Sequence, residues 1–135
     1  MLEKALEFLK THNDVAFATV EGDRPKIRVF RIMLQEGTVL YFATSPRKEV
    51  YRQLQADPFA ELLAMEGDIS VRVTGKVSFD VPDDTARRIY AENAVLQRLY
   101  DSYASMVYFR LEISSLDYYD LTPDPPLLEH WTSEA

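Results

Sequence analysis

Leu2, Ala5, Leu6 and Leu9 recur at i, i+3, i+4 and i+7, which predicts a short amphipathic helix packing on a sheet or a partner. From residue 14 the period changes to two. Residues 14–21 read as a strand, residues 22–25 as a turn around Gly22 and Pro25, and residues 26–34 as the returning strand. A second tight turn at 35–37 leads into a strand over 38–43, and these three strands are expected to form an antiparallel meander. Residues 46–56 predict a helix with Val50 and Leu54 on one face, stopped by Asp57-Pro58. Residues 59–65 and 69–79 form the next hairpin. In its second strand Val71, Val73, Gly75 and Val77 share one face, and Arg72, Thr74 and Lys76 share the other. Gly75 marks a bulge or a bend. Pro82 with Asp83 and Asp84 opens a helical stretch to about residue 103, with a break near Asn93. Alternation returns over 106–113, and 116–121 can extend the sheet.

The pattern therefore predicts a mainly β domain over residues 1–121, with six or seven antiparallel strands and peripheral helices, followed by a proline-containing tail over 122–135. Joining such strands into a small closed barrel removes exposed sheet edges. The tail carries Leu127, Leu128 and Trp131. It can cross onto a partner subunit or remain a frayed terminus.

The length of 135 residues fits one domain that buries roughly two-thirds of its unfolded surface. The chain has no cysteine, which removes disulfides and thiolate metal sites, and the two histidines, His12 and His130, form no metal-ligand pattern. No apolar run reaches membrane-spanning length, and the N-terminus does not read as a signal peptide, so a cytoplasmic location is expected. The formal charge is −7, which makes nucleic acid and anionic membranes poor partners. Against that charge the basic clusters at 24–31, at Arg47, Lys48 and Arg52, and at Arg72 and Lys76 stand out.

The run Phe42-Ala43-Thr44-Ser45-Pro46-Arg47-Lys48 reads as a strand running into a helix, with Ser45 as N-cap and Pro46 at the first helical position. Unpaired N–H groups, the helix dipole, two hydroxyls and two cations there suit a phosphate. The same run also serves as an ordinary capped helix with solvated cations. Earlier in the chain, alternation places Arg28 and Arg31 on opposite faces of their strand, so one of them reaches a pocket or an interface. No nucleophile–base pair is present, so any chemistry is expected to come from a cofactor.

Four blocks occur in order: residues 24–30 (RPKIRVF), 40–44 (LYFAT), 48–58 (KEVYRQLQADP) and 71–77 (VRVTGKV). In this order and spacing they resemble the pyridoxamine 5′-phosphate oxidase-like FMN-binding split-barrel proteins, in particular the short bacterial members. The resemblance covers roughly residues 2–121. It implies a split β-barrel, an FMN cofactor and a homodimer with the cofactor at the interface. It assigns Arg28, Val29 and Phe30 to the isoalloxazine edge, and Phe42, Ala43, Thr44, Ser45 and Lys48 to the ribityl phosphate. Gln53 matches a position that reaches the ring, and Arg72 a basic position of the interfacial site. The chain departs from relatives in having Val29 where proline is frequent and Ser70 where tryptophan is frequent. It also lacks the substrate-binding C-terminus of the true oxidases, so the vitamin B6 reaction does not transfer with the fold.

The function implied is an FMN-dependent oxidoreductase that passes a hydride between flavin and a small substrate, with NAD(P)H a candidate donor. The alternatives are a flavin-binding or storage protein without turnover, and the same barrel holding the deazaflavin F420 or haem. F420 would call for more basic residues along the groove, and haem for an axial ligand from His12 or His130.

Overall fold

The computed structural model describes residues 1–133. Helix α1 (Leu2–Thr11) leads into strands β1 (Asp14–Glu21), β2 (Arg24–Arg31), β3 (Leu34–Glu36) and β4 (Val39–Thr44). Helix α2 (Glu49–Ala56) follows, then β5 (Phe59–Glu66) and β6 (Ile69–Ser78). Helices α3 (Asp83–Glu92) and α4 (Ala94–Leu99) and a 3-10 turn at Tyr103–Ser105 precede the long β7 (Val107–Asp120) and β8 (Leu127–Thr132).

All strand pairs are antiparallel. The sheet runs β2-β1-β5-β6-β7-β4-β3, with β8 also paired to β7. This path is open, with β2 and β3 at its ends, so the closed barrel expected from strand count is corrected to a split barrel. The sheet nevertheless curls strongly. Phe30 on β2 and Phe42 on β4 are far apart in strand order, yet their ring centroids lie 5.9 Å from each other and 5.7 Å and 5.2 Å from Phe109. With Phe17, these rings form the centre of the core, which also takes in Ala5 and Leu9 of α1.

The expected meander is corrected in one respect. The strand read over 26–34 ends at Arg31, and the chain turns at Ile32 and Met33 into the short β3. β2 pairs with β1, while β4 pairs with β3 and β7, so β2 and β4 are not neighbours. Periodicity alone does not distinguish a local hairpin from a crossing between two separate ones. The turn between β1 and β2 is a two-residue loop, and Gly22 there takes φ 65°.

Residues 106–113 and 116–121, read as two runs, are one strand. The register shifts between Thr74 and Gly75, and Ser114 is the extra residue on β7. This bulge reverses the alternation, so Phe109, Leu111 and Ile113 point inward before it, and Leu116 and Tyr118 after it. A Cβ on Gly75 would lie 2.3 Å from the Glu112 carbonyl oxygen and 2.6 Å from Leu111 Cδ2.

The segment read as a tail contributes β8, which pairs with β7 of its own chain from Leu127↔Asp120 to Thr132↔Ser115. Trp131 packs on the core. Lys4 of α1 contacts Glu129 at 2.7 Å and lies 4.3 Å from the Tyr118 ring centroid, which ties α1, β7 and β8 together. A second core forms where α3 and α4 cover the outer face of β4 and β7, through Tyr41, Ala43, Ile89, Leu96 and Tyr108. Burial there pushes the Tyr108 phenol up to about 12, with Tyr90 and Tyr103 adding to the shift. The helical stretch breaks at Asn93 as expected, and its side-chain amide donates to the Ile89 and Met33 carbonyls at 2.7 Å and 3.2 Å.

Candidate functional site

Strand β2 presents Lys26, Arg28 and Phe30 toward the barrel, and Ile27, Val29 and Arg31 away from it. Arg31 makes a two-pronged contact with Asp14, at 2.8 Å and 3.2 Å. Arg28 is the arginine that turns inward. Its Nη1 donates to the Phe17 carbonyl at 3.1 Å and to Thr19 Oγ1 at 2.8 Å, and its Nη2 donates to Gln53 Oε1 at 2.7 Å. Thr19 Oγ1 donates in turn to Gln53 Oε1 at 2.6 Å.

Gln53 and Thr19 are both buried. Gln53 Oε1 accepts from both neighbours, and a flipped amide would set N–H against N–H, so this orientation is fixed. Gln53 Nε2 has no hydrogen-bond partner among the described residues. Glu21 is the nearby carboxylate. Its ion pair with Arg52 holds it below the usual carboxylate range. Burial lowers the Arg28 pKa from that of a free guanidinium, against the opposing charge of Glu49. An arginine remains cationic through such a shift.

Across from β2 the chain leaves β4 at Thr44 and reaches α2 through a turn. Here the sequence expectation is corrected: α2 starts at Glu49 rather than at Pro46, and Ser45 is not its N-cap. Ser45 instead organises the turn. Its Oγ accepts from the Arg47 N–H at 3.2 Å, and its carbonyl accepts from the Lys48 N–H at 3.1 Å. The hydroxyl and proline that resemble a helix start also suit a turn, and only the backbone distinguishes the two.

Between β2 and this turn lies a groove of about 520 Å3, lined by Lys26, Ile27, Arg28, Val29, Phe30, Arg47, Lys48, Glu49 and Val50. Its charged groups are four cations and one carboxylate, in a chain whose net charge is −7. Neither Arg47 nor Lys48 forms an ion pair with the described residues. Thr44, on the barrel-facing side of β4 with Phe42, is buried with an unpartnered Oγ1. A buried hydroxyl with no partner among the described residues is an exception that calls for an explanation.

The structure brings Arg28, Val29, Phe30 and Lys48 together on this groove, with Thr44 and Ser45 at the strand end beside it. Ala43 lines an adjoining cleft. The Phe42 side chain lies in the core, stacked on Phe109, so it can serve the groove through its backbone or by supporting Phe30. Gln53 stands behind Arg28 and holds it by the acceptor contact. Arg72 is not part of the groove. It sits on the outer face of β6 and donates to Asp117 Oδ2 at 3.0 Å, while His130 Nδ1 lies 2.7 Å from Asp117 Oδ1.

The groove also uses residues that the sequence reading did not place in the site. Lys26 shares the face of Arg28, which strand alternation could have shown. Thr19 is a polar residue at an inward position of β1, after Val15 and Phe17, and that break in an apolar face was its signal. Among the described residues no group of three or more His, Cys, Asp or Glu could hold a metal ion. No helix among them is long and apolar enough to cross a membrane.

Solved structures share this architecture. A NimC/NimA family protein from Clostridium acetobutylicum superposes with TM-score 0.77 at 23% identity, over 98% of this chain and 92% of that one. A haem binding protein from Mycobacterium smegmatis gives TM-score 0.76 at 16% identity, over 98% of this chain and 58% of the other. An FAD-binding protein from Mesorhizobium loti gives TM-score 0.68 at 18% identity, over 84% of this chain and 90% of the other. No curated protein matches the sequence. At these identities the neighbours establish the fold. The sequence profile named pyridoxamine 5′-phosphate oxidase matches residues 1–119, and the chain belongs to that family.

Proposed function

We propose that this protein is an FMN-dependent oxidoreductase acting on a small molecule, and that it works as a homodimer. The observation that carries the reading is the cationic groove of Arg28, Arg47 and Lys48; Thr44, at the end of β4 just before the turn that carries Arg47 and Lys48, adds a buried hydroxyl with no partner among the described residues. These residues fit a phosphorylated flavin. Lys48, Arg47 and the hydroxyls of Thr44 and Ser45 would hold the phosphate, and β2 from Arg28 to Phe30 would border the ring. When bound, FMN supplies hydride or electron exchange with the substrate. The chain orients the ring, and Arg28, fixed by Gln53 and Thr19, supplies a positive charge at the ring edge. No side chain of the groove is required as an acid or base.

The homodimer reading rests on the outer face of the sheet. Val29 on β2, Ala16 on β1 and Leu63 on β5 lie side by side in register, with Ile27, Ala18 and the exposed Glu61 in the next row. Ile27 and Val29 are 71% and 72% exposed, and Phe59 and Met65 on β5 are also exposed. Exposed apolar side chains grouped on one sheet face mark an interaction surface. A second copy would bury it and wall the groove on the Val29 side. The chemistry needs an electron donor, for which NAD(P)H is the first candidate, and a cytoplasmic setting supplies it.

The haem-binding neighbour raises haem as a second ligand for the fold. Neither His12 nor His130 lines the groove here, so flavin is the better fit.

The test is an absorbance spectrum of the purified protein before and after addition of FMN and removal of the excess, with sedimentation to give the mass. A retained flavin spectrum at the mass of a dimer is expected, with bleaching on addition of NAD(P)H. A protein that stays colourless after FMN addition overturns the reading. A flavin that stays bound but is reduced by no donor and reoxidised by no acceptor identifies a carrier without turnover.

A further inference from the structure

The outer face of the sheet reaches beyond the apolar residues at its β2 end. One row runs in register across six strands: Val29 on β2, Ala16 on β1, Leu63 on β5, Arg72 on β6, Asp117 on β7 and His130 on β8. In the next row Ile27 on β2 leads through Ala18 to Glu61 on β5 and Thr74 on β6. Ile27 and Val29 also line the cationic groove, so the groove opens at one end of this face. His130 stands exposed at the other end. Its Nδ1 lies 2.7 Å from Asp117 Oδ1, and Arg72 donates to Asp117 Oδ2 at 3.0 Å. The carboxylate therefore holds the ring by Nδ1, and Nε2 has no partner among the described residues.

Two charges at the centre of the face determine how a second copy can lie on it. Glu61 is exposed and forms no ion pair among the described residues. Arg72 lies diagonally from it, one row and one strand away. A two-fold axis perpendicular to the face, between β5 and β6 and between the two rows, exchanges these positions. Each Glu61 then meets the partner's Arg72, whereas an axis through either residue opposes like charges. The same rotation sets the exposed Tyr119 toward the partner's Val20, which with Pro25 and Phe59 lines an outer crevice of about 290 Å3. It also carries His130 to the partner's Ile27, at the mouth of the groove. The sheet curls convex outward, so two such faces touch at the axis and part toward that mouth, which leaves space there for a ligand.

We propose that two copies pair about this axis, and that His130 of each subunit closes the groove of the other against the ring of its ligand. The imidazole supplies what the groove itself lacks. Lys26, Arg28, Arg47 and Lys48 can only donate hydrogen bonds, and the Glu49 carboxylate can only accept them. Nε2 of a ring held by Asp117 accepts when the histidine is neutral and donates when it is charged, so it can follow a change of protonation at the ring edge. The segment that carries His130 is thereby part of the site, although it lies far from the groove of its own chain. The pairing stands without any ligand, whereas the role of His130 rests on the flavin reading of the groove.

Charge reversal tests the axis. Glu61→Lys, at an exposed position, should weaken the dimer at least tenfold in sedimentation, and so should Arg72→Glu. An equal mixture of the two should form a heterodimer within threefold of the parent affinity, because both contacts return with their signs exchanged. An undiminished Glu61→Lys dimer, or a mixture that stays monomeric, overturns the pairing. The heterodimer then reports on His130 by NMR, with isotope-labelled histidine in the Glu61→Lys subunit, which keeps Arg72 and Asp117. With Lys48→Glu added to the labelled subunit, FMN is confined to the partner's groove. The labelled His130 signal should move on FMN addition, while His12, stacked on Phe8, stays fixed. With Lys48→Glu in the unlabelled subunit instead, the labelled His130 should stay fixed. No movement in the first sample, or equal movement in both, overturns the placing of His130. If absorbance shows FMN in neither groove, the flavin reading falls and the role of His130 with it, while the charge-reversal result still decides the pairing.

Discussion

Gln53 Oε1 accepts from Arg28 Nη2 at 2.7 Å, and through this contact a residue of α2 fixes the direction of a guanidinium on β2. Gln53 is almost fully buried, while Arg28 reaches the groove, so the glutamine acts through the arginine. Gln53→Ala would leave the Thr19 hydroxyl and one arm of Arg28 without an acceptor. Loss of a hydrogen bond to a charged donor costs about 1.5–3 kcal/mol, so the variant should unfold at lower temperature and bind FMN more weakly. Gln53→Glu offers Arg28 a charged acceptor. It should recover stability while still weakening FMN, because it cancels the positive charge at the ring edge. Thermal unfolding with parallel FMN titration separates the two effects, and equal FMN affinity in parent and Gln53→Glu would remove Arg28 from the site.

Lys48 has no ion pair to lose among the described residues, so Lys48→Ala should leave folding stability within about 0.5 kcal/mol of the parent. Its effect belongs to the ligand. FMN affinity should fall about tenfold, equivalent to about 1.4 kcal/mol, and riboflavin, which has no phosphate, should bind parent and variant alike. The FMN affinity of the parent should also fall more steeply with salt than that of the variant. A riboflavin affinity that falls in step with that of FMN would place Lys48 at the ring rather than at the phosphate.

Gly75 faces inward at the bulge, where any side chain meets the Glu112 carbonyl and Leu111. The nearest contact is backbone and cannot rotate away. Gly75→Ala should therefore destabilise the protein by about 3 kcal/mol or more, the upper end of overpacking effects. Urea unfolding with an unchanged slope and a lower midpoint is the expected result.

The strands that alternate cleanly, β1, β5 and β6, were legible in the sequence nearly to the residue, because one face of each is buried and the other exposed. What escaped is non-local. The inward residues Phe30 and Phe42 are brought together by sheet curvature across strands that do not pair, and no local pattern encodes that. The bulge at Ser114 hid the continuity of β7 by reversing its alternation. β8 escaped because a proline-rich approach masks six residues whose strand character comes from pairing with β7. In the site, the basic and hydroxyl residues of 44–48 were visible as chemistry, but their use in a turn rather than a helix cap was not. Thr19 was visible only as a polar break in the inward face of Val15 and Phe17, and its tie to Arg28 and Gln53 is a contact between elements that no local pattern encodes.

Asp117 receives His130 on one oxygen and Arg72 on the other. The His130 contact first, and the Arg72 contact after it, hold the Asp117 carboxyl below its ordinary value of 3.8. A depressed carboxylate contributes stability that is present above its unfolded pKa and lost as pH falls through its folded one. The junction of β7 and β8 should therefore loosen as pH falls below about 4, and Trp131, the single tryptophan, reports it. Asp117→Asn should loosen β8 already at neutral pH and flatten the acid limb of the Trp131 fluorescence. An acid limb identical in the variant would assign the transition to other carboxylates.

Thr44 tests whether the groove is built for a ligand at the expense of the free protein. Its buried Oγ1 has no partner among the described residues, and an unsatisfied buried hydroxyl costs about 1–3 kcal/mol. Thr44→Val keeps the β-branched shape that suits the end of β4 and removes the orphan. Without ligand the variant should be as stable as the parent or more so, by about 1 kcal/mol. With saturating FMN the order should reverse, because the parent gains a hydrogen bond from Thr44 that the variant cannot make, and binding adds its free energy to stability. Melting temperatures of both proteins with and without FMN form a closed comparison. If FMN raises both by the same amount, Thr44 does not touch the phosphate, and its hydroxyl is orphaned for a reason unconnected with flavin.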